Sequence, residues 1–204
     1  MRLFLVMSFS LVLLTACGGE SQQGGDALWP AGWPDAAART LDEKFAPAPY
    51  TAEQLREACP SGLRLYYEVE EQPKPPNFVL FAFDRCNEDG LDLVVSDVSP
   101  EGKILGVPES RRMSWKEFQG ENATPVEYTK MHRETVEVPA GTFDCIVYTV
   151  TSEGPDGTVT DQTWFPFEQP GPFVKRVTTF SPEQKRVLRL ERREVVADGN
   201  AQPR

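Results

Sequence analysis

Histidine occurs once in the 204 residues, at position 132, and that scarcity closes off several chemistries. A nucleophile–base pair needs an imidazole or its equivalent. His132 sits among Lys130, Met131, Arg133 and Glu134, a strand-like setting of alternating exposure that suits a surface residue better than a general base. No G-x-S-x-G, H-E-x-x-H or glycine-rich phosphate loop occurs. Cysteine is sparse as well, and Cys59, Cys86 and Cys145 lack the short spacing that zinc requires. The acidic run 84–90 would start a calcium loop at Arg85, without its first carboxylate, and reads as a hairpin turn. The sequence therefore offers no catalytic set, no metal site and no cofactor site, and is not read as an enzyme. Positive charge is also short: 21 basic residues against 31 acidic ones give a net charge of −10. Phosphate backbones need a basic surface, so nucleic acid is not an expected partner.

Long apolar runs are missing too. The one candidate, Leu3–Leu14, spans about a dozen residues, too short to cross a bilayer and suited to a signal-peptide core. Arg2 precedes it, and Leu14-Thr15-Ala16-Cys17 follows. That ending resembles the lipobox of bacterial lipoproteins: an aliphatic residue, two small ones, then cysteine. The resemblance implies that the Cys17 thiol takes a diacylglycerol, that residues 1–16 are removed as a signal peptide, and that the new amine is acylated. Small side chains let the processing enzymes reach the backbone, and cysteine alone offers a soft thiolate for alkylation. Each buried methylene contributes ~0.8 kcal/mol, so two or three acyl chains anchor almost irreversibly. Gly18 rather than Asp follows the cysteine. By the same resemblance, in a double-membraned cell this favours the outer membrane, facing the periplasm.

Residues 17–50 read as a tether. Gly18–Asp26 is Gly/Gln/Ser-rich and holds no core-forming residue. Trp29-Pro30 and Trp33-Pro34 form an aromatic–proline repeat that either touches a membrane or partner, or packs back on the domain. Asp35–Phe45 suits a short amphipathic helix. Thr51 and Gln54 have capping-box spacing ahead of Ala52–Ala58, and Cys59-Pro60-Ser61-Gly62 stops that helix.

From Leu63 the apolar period is two. Leu63, Leu65, Tyr67 and Val69 alternate with Arg64, Tyr66, Glu68 and Glu70. Asn77–Arg85 is apolar on both alternations, which predicts a strand covered on both faces. Leu91–Ser99 and Lys103–Val107 follow across turns. Ser114–Gln119 predicts a helix with Trp115 and Phe118 on one side. Pro125–Val138 is extended, and Glu134–Glu153 reads as a hairpin turning at Pro139-Ala140-Gly141. Thr158–Phe167, Phe173–Phe180 and Lys185–Val196 complete the set, and 197–204 is a polar tail. The fold class is mainly β: a curved antiparallel meander of about eight or nine strands over residues 51–196, half-barrel-like, with one or two short helices on its concave side.

Two further groups stand out. Without Cys17, three cysteines remain and three pairings are open. In an oxidising compartment Cys59–Cys86 is favoured, because both flank turn-rich segments, with Cys145 a small buried hydrophobe; three free thiols is the alternative. Lys175–Arg193 carries seven basic residues against Glu183 and Glu191. Arg186, Arg189 and Arg193 are candidates to face anionic lipid, or else to form a solvated face guarding a sheet edge.

Val138-Pro139-Ala140-Gly141-Thr142-Phe143-Asp144-Cys145, then Tyr148, Trp164-Phe165 and Phe173-Val174-Lys175-Arg176, resembles a pattern in exported bacterial proteins related to the lipoprotein-carrier group. That resemblance spans Glu134–Val196 and implies a strongly curved antiparallel half-barrel lined by apolar residues. Two functions are expected from it. Either the sheet holds a lipid or other hydrophobic ligand against Phe81, Phe83 and Trp164, or the protein is a structural or interaction lipoprotein of the envelope with a filled interior. In both, the partner that the sequence specifies is the membrane, reached through the anchor.

Overall fold

A computed structural model describes residues 36–71, 73–154 and 157–197; Cys17, Trp29 and Trp33 lie outside them. Nine strands form one open antiparallel sheet in the order β4-β3-β2-β1-β9-β8-β7-β6-β5. They are β1 (Leu63–Glu71), β2 (Asn77–Asp84), β3 (Leu91–Val98), β4 (Ile104–Met113), β5 (Thr129–Val138), β6 (Gly141–Gly154), β7 (Gly157–Pro166), β8 (Lys175–Ser181) and β9 (Gln184–Val195). Sequential strands pair at every step but one. The chain begins in the middle, runs outward to β4, crosses to the far edge at β5, and returns strand by strand until β9 lies against β1. The predicted meander is thus two meanders joined at β1–β9.

Paired residues in a ladder share a face, so side-chain rows can be followed across the sheet. One row runs Asp97, Val79, Tyr67, Leu190, and the next runs Leu188, Arg176, Thr163, Tyr148, Met131 beside Val69. This inner face also carries Phe81, Phe83 and Phe165. It is covered by α1 (Ala52–Ala58), by α2 (Trp115–Gly120), and by the segment 45–50. Both helices start at full capping boxes, Thr51 with Gln54 and Ser114 with Glu117, which satisfy their first backbone donors. Phe118 of α2 meets Phe83 edge-on at 5.6 Å between ring centroids.

Both faces of β2 are indeed apolar. Val79, Phe81 and Phe83 belong to the main core, while Leu80 and Ala82 join Val98 in a second cluster on the outer face, walled by Tyr66, Phe78, Val94 and Ile104. The sheet also curls. At the β5–β6 hairpin, Gly141 turns the chain with φ of +138°, a conformation that glycine adopts freely. The hairpin tip then reaches across the ends of β7 and β8: the Ala140 N–H donates to the Leu190 carbonyl at 3.0 Å.

Three local expectations change. Asp35–Phe45, expected as a helix, holds only the 3-10 turn Ala37–Arg39 among its described residues, and Phe45 instead forms a single bridge to Pro125. Pro47 and Pro49 just beyond disfavour helical backbone before them. Ala46–Tyr50 is buried on the sheet, where a flexible tether was expected. β4 continues to Met113, well past the expected end at Val107, because Ser110, Arg111 and Arg112 find ladder partners on β3. The two open edges are blunted in different ways. β4 carries Pro108 and is opposed by a register shift between Val95 and Asp97, and β5 exposes Lys130, Arg133, Glu134 and Glu137.

Candidate functional site

The residues expected to line a ligand cavity are used in packing. Phe81 packs tilted against Tyr67 at 5.1 Å between ring centroids and edge-on at 6.3 Å to Phe173, and the Tyr67 hydroxyl donates to the Phe173 carbonyl at 2.7 Å. Phe83 is fully buried under α2. Trp164 pairs with Val147 and Lys175, in the row that continues through Arg189 and Glu68 to Phe78, so it faces away from Phe81 and Phe83. Its indole lies 4.5 Å beneath the Lys175 ammonium, a cation–π contact. The face assignment could not be read locally, because it depends on counting through four pairings across five strands.

The cysteines separate. Cys59 closes α1, is wholly buried, and is a free thiol, so the bridge expected with Cys86 is not made here. Its sulfur lies beside Gly171, 3.6 Å from where a Cβ on that glycine would stand, while the Cys86 thiol turns toward the Asp84 carbonyl at 3.8 Å. Burial pushes the Cys59 thiol up to about 12, with nearby Arg193 opposing and Cys86 reinforcing the shift. Cys145 packs in the core, and burial pushes it to about 12 as well, helped by the Asp144 and Glu134 carboxylates. Thiols held neutral in this way are poor nucleophiles.

The three arginines proposed for an anionic surface do not share a face. Arg186 stands opposite Glu71 and Arg193 opposite Leu65, on the inner side, whereas Arg189 stands opposite Glu68 on the outer. A register shift between Tyr66 and Tyr67 leaves Glu191 unpaired and flips the alternation of β9 there. Arg189 pairs with Glu70 at 3.0 Å and Glu68 at 3.6 Å, and Arg193 donates to the Ala58 carbonyl at the end of α1, at 3.0 Å. Burial lowers the pKa of Arg186.

Two recesses stand out among the described residues. One, of about 570 Å³, is lined by Ser61, Asp84, Arg85, Cys86, Asp92, Val94 and Ser110. Its centre is Asp92, whose side chain is 4% exposed and takes Arg85 Nε at 2.5 Å and Arg112 Nη1 at 3.3 Å. Arg112 also donates to Asn87 Oδ1 at 3.0 Å and to the Arg85 carbonyl at 2.9 Å, and Arg64 meets Asp84 at 2.7 Å. Arg85 holds a left-handed φ of +46° to make this arrangement. The network ties the β2–β3 turn to β4, with its carboxylates engaged as acceptors. Sequence patterning read the turn but missed Asp92, whose only signal was a charge at an otherwise apolar strand start. The second recess, of about 330 Å³, lies between the β5–β6 hairpin tip, Gln169 and β9, with Pro139, Ala140, Phe143, Leu190, Glu191, Arg192 and Arg193 as its walls.

The architecture defines a class: an open, curled antiparallel sheet whose covered face is closed by two short helices. No protein-family model matches the chain, and no curated protein is similar to it. Among solved structures, the chain is similar to a provisionally named exported protein of Bacteroides fragilis with a YmcC-like fold, at 14% identity and a TM-score of 0.42, over 66% of this chain and 96% of that one. It is similar also to a provisionally named lipoprotein of Parabacteroides distasonis, at 13% identity and a TM-score of 0.43, over 67% and 96%. Likenesses this distant carry no argument about activity.

Proposed function

We propose that the protein is an exported lipoprotein, anchored through Cys17 and held at the periplasmic face of an outer membrane, where its sheet acts as an interaction module with a filled interior. The observation that supports this reading over a lipid-binding pouch is the use of Phe81 and Phe83 in the core beneath Tyr67, Phe173 and Phe118, with Trp164 on the opposite face. A pouch would need these rings to border open volume. Arg186, Arg189 and Arg193 are divided between faces and two of them are engaged, which speaks against a shared contact with anionic lipid. The anchor is tested by expressing the whole chain and its Cys17→Ser variant and washing membranes with high salt. The native protein stays with the membrane and the variant is released; retention of the variant overturns the anchor. Native mass spectrometry of the variant tests the filled interior: the chain mass alone supports it, and a co-purified lipid favours the pouch.

A further inference from the structure

The larger recess lies on the outer face of the sheet, at the end where β2 turns into β3. Asp84 stands opposite Asp92 across the ladder, and Asp92 opposite Arg112; Val94 and Ser110 belong to the next row. Two carboxylates directly opposite each other repel, so such a row needs counter-charge. Arg64 meets Asp84 at 2.7 Å and spends its Nη1 on the Leu63 and Phe83 carbonyls. One further arginine would answer Asp92, and two are present. Arg85 meets Asp92 Oδ2 along its Nε–Nη2 edge, and Arg112 meets Oδ1. Three arginines against two aspartates leave one positive charge here, in a chain whose net charge is −10. Glu88 and Asp89, the acids of the adjoining turn, are exposed and are not among the recess walls.

This surplus charge is held in a fixed place and turned outward. The carboxylate that gathers the two guanidiniums is 4% exposed, whereas Arg85 is 80% exposed and Arg112 44%. Arg112 is fixed further by the Asn87 side chain and the Arg85 carbonyl. Arg85 reaches its position only with its left-handed φ, and among the described residues no other non-glycine residue has a positive φ. Asp92 occupies one edge of the Arg85 fork, and among the described residues nothing engages its Nη1. That free edge matches a second oxyanion. Ser61, Ser110 and Val94 border the same space, whose volume of about 570 Å³ exceeds that of a bare ion and suits a small organic molecule. We propose that this recess binds a small organic oxyanion, a carboxylate or a phosphate monoester, with Arg85 and Arg112 as its clamp. The site shares no residue with the Cys17 anchor or with the rings that fill the interior, so this inference and the reading above can fail separately.

The experiment uses the whole chain carrying Cys17→Ser and titrates it with glycerol 3-phosphate and, separately, with butyrate, at an ionic strength held constant with sodium chloride. The guanidinium N–H signals of Arg85 and Arg112 are followed by NMR. Saturable shifts of both are expected with at least one probe, and the probe that saturates at the lower concentration assigns the oxyanion. Ser110→Asp places an acid on the wall without removing a bond of the network, and should weaken binding about tenfold or more. Arg85→Gln should do the same. Arg189→Gln makes an equal change of net charge on the same face but outside the recess, and should leave binding within about twofold. A network that only ties the turn to β4 would give none of these differences. The proposal is overturned if neither probe gives a saturable shift, if the shifts follow sodium chloride alone, or if Ser110→Asp, with an otherwise unchanged amide spectrum, binds as tightly as its parent.

Discussion

The hydroxyl of Tyr148, in the middle of β6, donates to the carbonyl of Pro47 at 2.5 Å, across 101 residues of sequence. Tyr50 returns the favour by donating to the Pro166 carbonyl, at 2.5 Å, at the end of β7. The segment 45–50 is thereby tied to the sheet by two buried phenols rather than by a ladder. Its prolines supply carbonyls and no N–H groups, so it can cross a sheet without joining it. Tyr148→Phe leaves the buried Pro47 carbonyl without this partner and should cost about 1–3 kcal/mol, read as a lower urea midpoint at unchanged slope. Tyr50→Phe should cost a similar amount. A double variant near the sum would show that the two bonds act independently; a smaller total would show that the segment lifts as one unit.

Gly62 and Gly106 have the same backbone angle, φ of +86°, in different surroundings. A Cβ on Gly62 would fall 2.0 Å from the Val196 carbonyl oxygen, whereas one on Gly106 would meet nothing within 4 Å. Gly106→Ala should therefore cost only the conformational term, about 1–2 kcal/mol. Gly62→Ala adds a clash at the very bond that fixes the end of β9 against β1, and should cost about 2–4 kcal/mol. Equal losses in chemical denaturation would refute the clash.

The period-two alternation made the strands legible, and both capping boxes were visible as Thr51–Gln54 and Ser114–Glu117. The doubly apolar Asn77–Arg85 announced burial on both faces, because local composition determines that much. Relations that depend on the whole sheet were hidden. Joining β1 to β9 is a long-range choice between equally good strands, and the unpaired Glu191 that turns Arg193 inward has no local signature. Trp164 looked like a cavity residue because aromatics suit both linings and cores, and its face is set by a register five strands wide. The segment 45–50 looked like linker because Ala-Pro-Ala-Pro lacks large apolar side chains; it is held on the sheet because Tyr148 donates to its Pro47 carbonyl and its own Tyr50 donates to the Pro166 carbonyl.

Asp92 should behave as the keystone of the β2–β3 turn. Its carboxylate is 4% exposed and serves both Arg85 and Arg112, but those arginines are 80% and 44% exposed and can be rehydrated when it is lost. Screening at such surfaces discounts the pairing energy. Asp92→Asn is expected to cost about 2 kcal/mol, with a coupling to Arg112→Ala of under about 1 kcal/mol in a double-mutant cycle. Hydrogen exchange should speed up in 85–92 and 111–113 before the rest of the sheet. Uniform acceleration across all strands would contradict a local role.

Alkaline pH should unfold the protein through its thiols. Burial raises the folded pKa of Cys59 and of Cys145 from about 9 to about 12. Below pH 9 both the folded and the unfolded chain hold these protons, so this contribution to stability is complete. Between pH 9 and pH 12 the unfolded chain releases them and the folded chain does not, so the unfolded state binds fewer protons and stability falls as pH rises. Each thiol contributes a slope of up to about 1.4 kcal/mol per pH unit in that window. Burial also raises Tyr67 and Tyr148, which steepens the fall above pH 10. Urea midpoints taken from pH 7 to pH 11 should be level up to about pH 8.5 and then drop. The pair Cys59→Ala and Cys145→Ala should flatten the first part of the drop, between pH 9 and pH 10, even though removing the thiols lowers stability at pH 7. An unchanged profile in that double variant would mean that the thiols are reached by solvent and are not the groups that titrate.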